Sequence, residues 1–274
     1  MVTGLRTLRL RGPNGISTLA VEELPVAPLD LETLELPPPY ELLAPVDPPE
    51  IWCAGVTYER SRDARVEETQ VEDVYSLVYD ADRPELFLKD AASRRTVGPG
   101  GMIGIRSDSA WNVPEPEIGL VLGEGGEIAG VTIGNDVSSR SIEGANPLYL
   151  PQAKVYAGAC AIGPAVLVPD DLQVPFEIEM RITGVGGAEL FAGQTSTEKM
   201  HRSFGELAAW LIRDNPVPVG SVLLTGTGLV PPNDFTLEPG HVVEIRVPGV
   251  GTLRNHVGLA TDLLTDNARR EARV

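Results

Sequence analysis

Histidine and cysteine are scarce, with three and two copies in 274 residues. Cys53 and Cys160 form no CxxC pair. Neither a dithiol redox centre nor a thiolate zinc site is expected, and both read as small buried apolar residues. No apolar run approaches the roughly 20 residues that a bilayer span requires. The opening stretch MVTGLRTLRLRG alternates Leu with Arg or Thr and lacks the continuous apolar region of a signal peptide. A cytoplasmic protein without membrane association is expected. Positive charge is also short: 22 Lys and Arg stand against 39 Asp and Glu, a net charge of −17. Nucleic-acid phosphates would be repelled by such a chain. A small anionic ligand would need a local positive device, such as a metal ion or a few Lys and Arg.

What is present is an ordinary globular composition, 42% apolar, long enough for one sizeable core or a core with a small appended lobe. Residues 5–10 and 16–22 predict two short strands around Gly12-Pro13-Asn14-Gly15. The proline-rich stretch 25–50 predicts an extended connector, because proline blocks ladder hydrogen bonds and ends helices. Residues 1–50 are thus expected as a small N-terminal β lobe with its connector, and residues 51–274 as the main body. There the pattern predicts a buried strand at 51–56, a charged helix in TYERSRDARVEE, and a helix over 71–81 with apolar residues at 71, 74, 75, 77 and 78. Ser203-Phe204-Gly205-Glu206 fits a capping box and predicts a helix to Asn215, before Pro216. Short strands are expected at 221–225, 242–247 and 252–257. The glycine clusters at 98–101 and 184–187 lack a phosphate-loop pattern and predict turns. Strands outnumber helices and do not alternate strictly with them, which indicates an α+β fold with a mixed or antiparallel β core.

The chemistry concentrates in VPEPEIGLVL, residues 113–122, where Glu115 and Glu117 stand two apart at the head of an apolar run. A turn at Gly123–Glu127 and a second apolar run, Ile128–Ile133, predict a hairpin. With the turn centred between Gly125 and Gly126, Glu115 pairs with Asp136 across the strands. Residues i and i+2 of a strand share a face, so Glu117 joins them. Three carboxylates that close repel one another, and like charges raise pKa values. A hard divalent cation with oxygen ligands, Mg²⁺, Mn²⁺ or Ca²⁺, would resolve the conflict. Spacing alone leaves this open against solvated acids at a strand end. Downstream, Lys154 sits among apolar neighbours, where a lysine either has a partner or snorkels to the surface.

The ordered set Gly55-Val56-Thr57-Tyr58, Pro84–Lys89, Glu115-Pro116-Glu117, Thr132–Arg140, Lys154, Leu224–Thr227 and Gly240–Ile245 resembles the fumarylacetoacetate hydrolase family over roughly residues 51–257. The resemblance implies a mixed β-roll catalytic domain, a homodimer or homotetramer, and a Mg²⁺ ion (or Mn²⁺ or Ca²⁺) held by Glu115, Glu117 and Asp136. One departure matters. Members that cleave acylpyruvate C–C bonds carry a His–Glu pair shortly after the position of Thr57-Tyr58. TYERSRDARVEET has no histidine, so the usual base for activating water is missing. The segments GVTYERSRDARVEE, YDADRPELFLK and GANPLYLPQAK are instead similar to the dehydratase branch, of the 2-keto-3-deoxy-D-arabinonate dehydratase type.

That branch implies a metal-dependent hydro-lyase turning a 2-keto-3-deoxy sugar acid into 2,5-dioxopentanoate and water. By matched position Lys154 would stabilise the enolate or the substrate carboxylate. Glu143 and Glu85 are the candidate acid and base, each of which could equally be an ordinary surface acid. Arg60, Lys89 and Thr227 would contact substrate, and Arg140 reads as a structural ion-pair partner. The alternatives are an acylpyruvate hydrolase or oxaloacetate decarboxylase on the same scaffold, and a non-catalytic 2-keto acid binding protein.

Overall fold

The structure, a computed structural model, describes residues 2–24, 36–59 and 77–264. The expected charged helix after Tyr58, most of the 71–81 helix, part of the proline-rich connector and Arg60 lie outside the described residues. Leu77–Asp80, the described end of the expected 71–81 helix, is helical.

Two sheets dominate. The larger runs in the order Gly15–Ala20 (β2), Gly4–Gly12 (β1), Cys160–Pro169 (β12), Ile128–Asp136 (β10), Pro116–Leu122 (β9), Val222–Leu224 (β15), Glu50–Gly55 (β4) and Glu85–Ala91 (β5). Glu41–Leu42 (β3) adds to β1, and Thr96–Val97 (β6) adds to β12. The second sheet runs Glu189–Ser196 (β14), Glu177–Thr183 (β13), Val242–Val247 (β16), Gly251–Leu259 (β17) and Met102–Ile105 (β7). A short pair joins Asn112–Val113 (β8) to Ser138–Ser139 (β11). Most pairings are antiparallel, but β15–β4, β12–β6 and β17–β7 are parallel, so the mixed α+β architecture is as expected. The N-terminal hairpin turns at Gly12 and Gly15, and its first strand hydrogen-bonds to β12 as part of the larger sheet.

The two sheets differ in how their sequences read. The second alternates buried and exposed residues along β13, the pattern of a sheet with one wet face. Strand β9 is buried at every position, and β10 from Gly130 onward. Both faces of these strands are covered. One faces a core shared with the second sheet, where Ile118, Leu120 and Ile133 meet Ile178, Ile182 and Ile245. On the other, Val121 clusters with Ile51, Cys53, Cys160 and Val222 of neighbouring strands in the same sheet, and Ala44 and Val46 pack against them. Burial on both faces is why the two runs are continuously apolar. Cys53 and Cys160 are both free and buried, and burial pushes the Cys160 thiol up to about 12.

The capping box forms in part. Ser203 Oγ accepts the Glu206 N–H at 3.2 Å, but the Glu206 carboxylate pairs with Arg202 at 2.6 Å. The helix spans Phe204–Ile212 and stops short of the expected Asn215. Asp214 adopts a left-handed backbone, and the Asn215 side chain donates to the Leu211 carbonyl at 3.1 Å, which closes the helix early.

Replacing Leu120 by Ala should cost about 3 kcal/mol, because the side chain is fully buried between the sheets and its removal leaves a cavity. Urea unfolding followed by circular dichroism measures this; a loss under about 1 kcal/mol would contradict the packing described.

Candidate metal centre and active site

The hairpin β9–β10 has the expected register. Ile133 faces Ile118, Gly134 faces Glu117 and Asn135 faces Pro116, and beyond the ladder the Asp136 N–H donates to the Glu115 carbonyl at 3.0 Å. A bulge between Ile128 and Gly130 shifts the register only near the turn, where Gly125 takes a left-handed conformation. The open end of the hairpin therefore delivers Glu115, Glu117 and Asp136 together. All three are buried, and one oxygen from each lies within 4.8 Å of the others.

Three cationic side chains surround them. Lys154 is 1% exposed, so it does not snorkel. Its Nζ donates to Glu115 Oε2 at 3.0 Å, Asp136 Oδ2 at 2.8 Å and Ser138 Oγ at 2.6 Å. The short helix Leu150–Lys154 presents it at its last position. Lys89, from β5, is fully buried, pairs with Asp136 Oδ1 and donates to the Val137 carbonyl at 3.0 Å. It was expected to contact substrate, but it does not line the pocket beside the triad and is held on Asp136 instead. Arg140, the first residue of the helix Arg140–Ala145, reaches Glu115 Oε1 at 3.0 Å and lies 3.8 Å from Glu143 Oε2. Its expected role as an ion-pair partner is what the contacts show.

Glu117 is differently placed. Among the described residues its carboxylate accepts one hydrogen bond, from the Gly226 backbone N–H at 2.6 Å. Burial raises its pKa well above the usual carboxylate range, and the neighbouring Asp136 and Glu115 charges raise it further. The same burial, with Glu117 adding to it, keeps the Tyr58 phenol neutral. The donor set is all oxygen, converges on one point and carries more negative charge around Glu117 than its own contacts offset. It fits a hard divalent cation, and it has none of the nitrogen or sulfur donors that zinc prefers.

The pocket above is lined by Glu85, Phe87, Glu115, Asp136, Arg140, Glu143 and Lys154, together with Ala54–Val56 and Gly226–Thr227. Its free volume is about 20 Å³, enough for an ion or a water. Glu143 is buried there. Glu85 faces Gly55 across the β4–β5 ladder, and a Cβ at Gly55 would fall 2.0 Å from Glu85 Oε2, so the glycine leaves room for that carboxylate. Thr227 reaches the pocket wall; its hydroxyl donates to the Leu229 carbonyl at 3.1 Å. Ser138, Phe87, Asn135 and Gly226 were not anticipated. Asn135 Oδ1 accepts the Glu115 N–H at 3.1 Å, and the Lys154 ammonium lies 5.6 Å from the Phe87 ring. None carries a titratable group, the feature shared by the other expected residues apart from Thr227, which was singled out by its matched position. None of the three histidines lines the pocket: His201 stacks on Tyr79, His241 accepts the Glu238 N–H, and His256 is exposed.

The profile of the fumarylacetoacetate hydrolase C-terminal domain matches residues 50–258. The chain belongs to this family. It is 55% identical, over 78% of its length and 73% of the relative's, to a probable 2-keto-3-deoxyxylonate dehydratase of Haloferax volcanii. It is 45% identical to the 2-dehydro-3-deoxy-D-arabinonate dehydratase of Saccharolobus solfataricus, over 76% of its length and 72% of the relative's. Its fold matches a solved structure of 2-keto-3-deoxy-D-arabinonate dehydratase complexed with magnesium and 2,5-dioxopentanoate, with a TM-score of 0.80 and 35% identity, covering 93% of this chain and 99% of that one.

Glu117 holds its proton to higher pH than a surface glutamate and must release it to ligate a cation. Mn²⁺ affinity of the EDTA-treated protein should therefore rise with pH, with protons released on binding. The sign for stability is opposite: without cation, the fold loses this contribution as pH climbs from the ordinary glutamate range toward the raised value. Glu117→Gln should weaken Mn²⁺ binding and remove the proton release. Calorimetry in buffers of different ionisation enthalpy reads both; unchanged affinity in the variant would end the assignment of Glu117 as a ligand.

Proposed function

We propose that this protein is a Mg²⁺-dependent hydro-lyase that converts a 2-keto-3-deoxypentonate into 2,5-dioxopentanoate and water. The observation that carries this is the composition of the pocket. Glu115 and Asp136 of the triad line it beside one buried lysine, Arg140 and two further carboxylates, with no histidine to activate a water. Two curated relatives named as dehydratases, at 55% and 45% identity, support the same reaction.

A cation held by Glu115, Glu117 and Asp136 would supply Lewis-acid polarisation of the 2-keto group. The chain's own residues account for the remainder. Lys154 places an ammonium at the edge of the triad, where it offsets negative charge as it develops on the keto oxygen when a C3 proton is removed. Glu85 and Glu143 stand on the pocket wall as the acid and base. One takes the C3 proton, and the other protonates the C4 hydroxyl, which leaves as water. A proton then moves from C5 to C3, which shifts the C3–C4 double bond to C4–C5, and the resulting C5 enol becomes the aldehyde as C4 takes a proton and the C5 hydroxyl releases one. Thr227 and Arg60 contact the sugar-acid chain, and Lys89 acts by holding Asp136. The enzyme works on a small molecule in the cytoplasm, as a homodimer or homotetramer.

Purified protein with Mg²⁺ should release water from 2-keto-3-deoxypentonates and yield 2,5-dioxopentanoate by mass spectrometry. Cleavage of acylpyruvates or decarboxylation of oxaloacetate in its place would overturn the assignment. So would ligand-induced thermal stabilisation with no turnover. Lys154→Met should lower kcat by about a hundredfold or more while the protein still binds Mn²⁺, on the scale of a lost charge-stabilising donor. A normal rate would reduce Lys154 to a structural ion pair.

A further inference from the structure

We propose that Thr57 is a positioning residue of the metal centre, its hydroxyl fixing the one peptide unit whose N–H holds Glu117. This rests on the assignment of Glu115, Glu117 and Asp136 as the cation ligands.

Strands β15 and β4 run parallel side by side, with Leu224 opposite Cys53, so the chain segments leaving their ends emerge together. One is Thr225-Gly226-Thr227 and the other Val56-Thr57. Thr57 is fully buried, and its Oγ1 donates to the Thr225 carbonyl at 2.6 Å. That carbonyl and the Gly226 N–H belong to the same peptide plane, and the N–H donates to Glu117 Oε2 at 2.6 Å. A peptide unit that accepts a hydrogen bond at its oxygen is a stronger donor at its nitrogen, so the two bonds reinforce each other.

The plane is held on further sides. The Thr225 N–H and hydroxyl both donate to the Ile118 carbonyl, each at 3.0 Å, which ties the loop to the strand that carries Glu117. Gly226 adopts φ +89°, and a Cβ there would lie 2.1 Å from Thr57 Oγ1 and 2.9 Å from the Ala54 carbonyl. Only a glycine lets the threonine come this close. The arrangement runs from Thr57 through one peptide to a ligand carboxylate that has no other hydrogen-bond partner among the described residues. A side chain that touches neither ion nor pocket therefore aims the ligand.

Thr57→Val keeps the shape and deletes the hydroxyl; Thr57→Ser keeps the hydroxyl and deletes a methyl. Mn²⁺ binding to the EDTA-treated protein, followed by electron paramagnetic resonance of the free ion, should weaken about tenfold in Thr57→Val, the scale of a lost bond behind a metal ligand. Thr57→Ser should stay within about threefold of the parent, as expected when the same bond is retained. Thermal unfolding is recorded alongside, because a purely structural role would lower the melting temperature and leave affinity in place. If Thr57→Val does not fold, Thr57→Ala is read in the same way. Parent-like Mn²⁺ affinity in Thr57→Val or Thr57→Ala, or a loss in Thr57→Ser equal to that in Thr57→Val, overturns the proposal. Failure of the underlying assignment looks different: the unmodified protein would bind no Mn²⁺, or Glu117→Gln would bind it as well as the parent.

Discussion

Mutual repulsion of three buried carboxylates is the constraint around which this protein is arranged. Glu115, Glu117 and Asp136 sit together because a hairpin register puts them there, and the register is fixed by apolar residues on both faces of β9 and β10. A slip of one residue would turn Ile118, Leu120 and Ile133 out of the core. The core therefore imposes the electrostatic conflict, and the surroundings answer it. Lys154 and Lys89 bracket Asp136, and Lys154 and Arg140 bracket Glu115. Among the described residues Glu117 is left with a backbone N–H, and burial first, then the neighbouring Asp136 and Glu115 charges, raise its pKa. A divalent cation is the natural complement to what these side chains leave uncompensated.

The same arrangement shapes the reaction. A pocket that ends in a hard-cation site, with a lysine on the triad and carboxylates at Glu85 and Glu143, can acidify a C–H bond next to a carbonyl and protonate a leaving hydroxyl. No described histidine is placed to prepare a water nucleophile. Members of one fold family can thus share a metal centre and part ways on chemistry through the groups placed around it.

Much of this was legible in the sequence because it depended on local rules. Period-two logic and a glycine turn sufficed to place Glu115 opposite Asp136, since a two-stranded hairpin has few registers that keep its apolar face covered. The bulge at Ile128 was invisible but harmless, lying between the turn and the acids. The helix end at Ile212 was not legible, because the left-handed turn at Asp214 arises from how the chain leaves the helix and not from Pro216. Apart from the family match, Lys154 showed as an anomaly among apolar neighbours; its three acceptors are Glu115 just before β9, Asp136 at the end of β10 and Ser138 in β11. Thr57 and Gly226 lay inside the family motifs, but nothing in the sequence linked one to the other. They meet because β4 and β15 pair in parallel, a contact between residues 168 apart for the hydrogen bond itself.

The central claim is that the three acids form one cation site. Crystals soaked in Mn²⁺ and measured for anomalous scattering test it most directly. A single strong peak is expected within bonding distance of oxygens from Glu115, Glu117 and Asp136, beside Lys154. A fully occupied Mn²⁺ elsewhere, with these three carboxylates bound only to lysine, arginine and backbone, would contradict it.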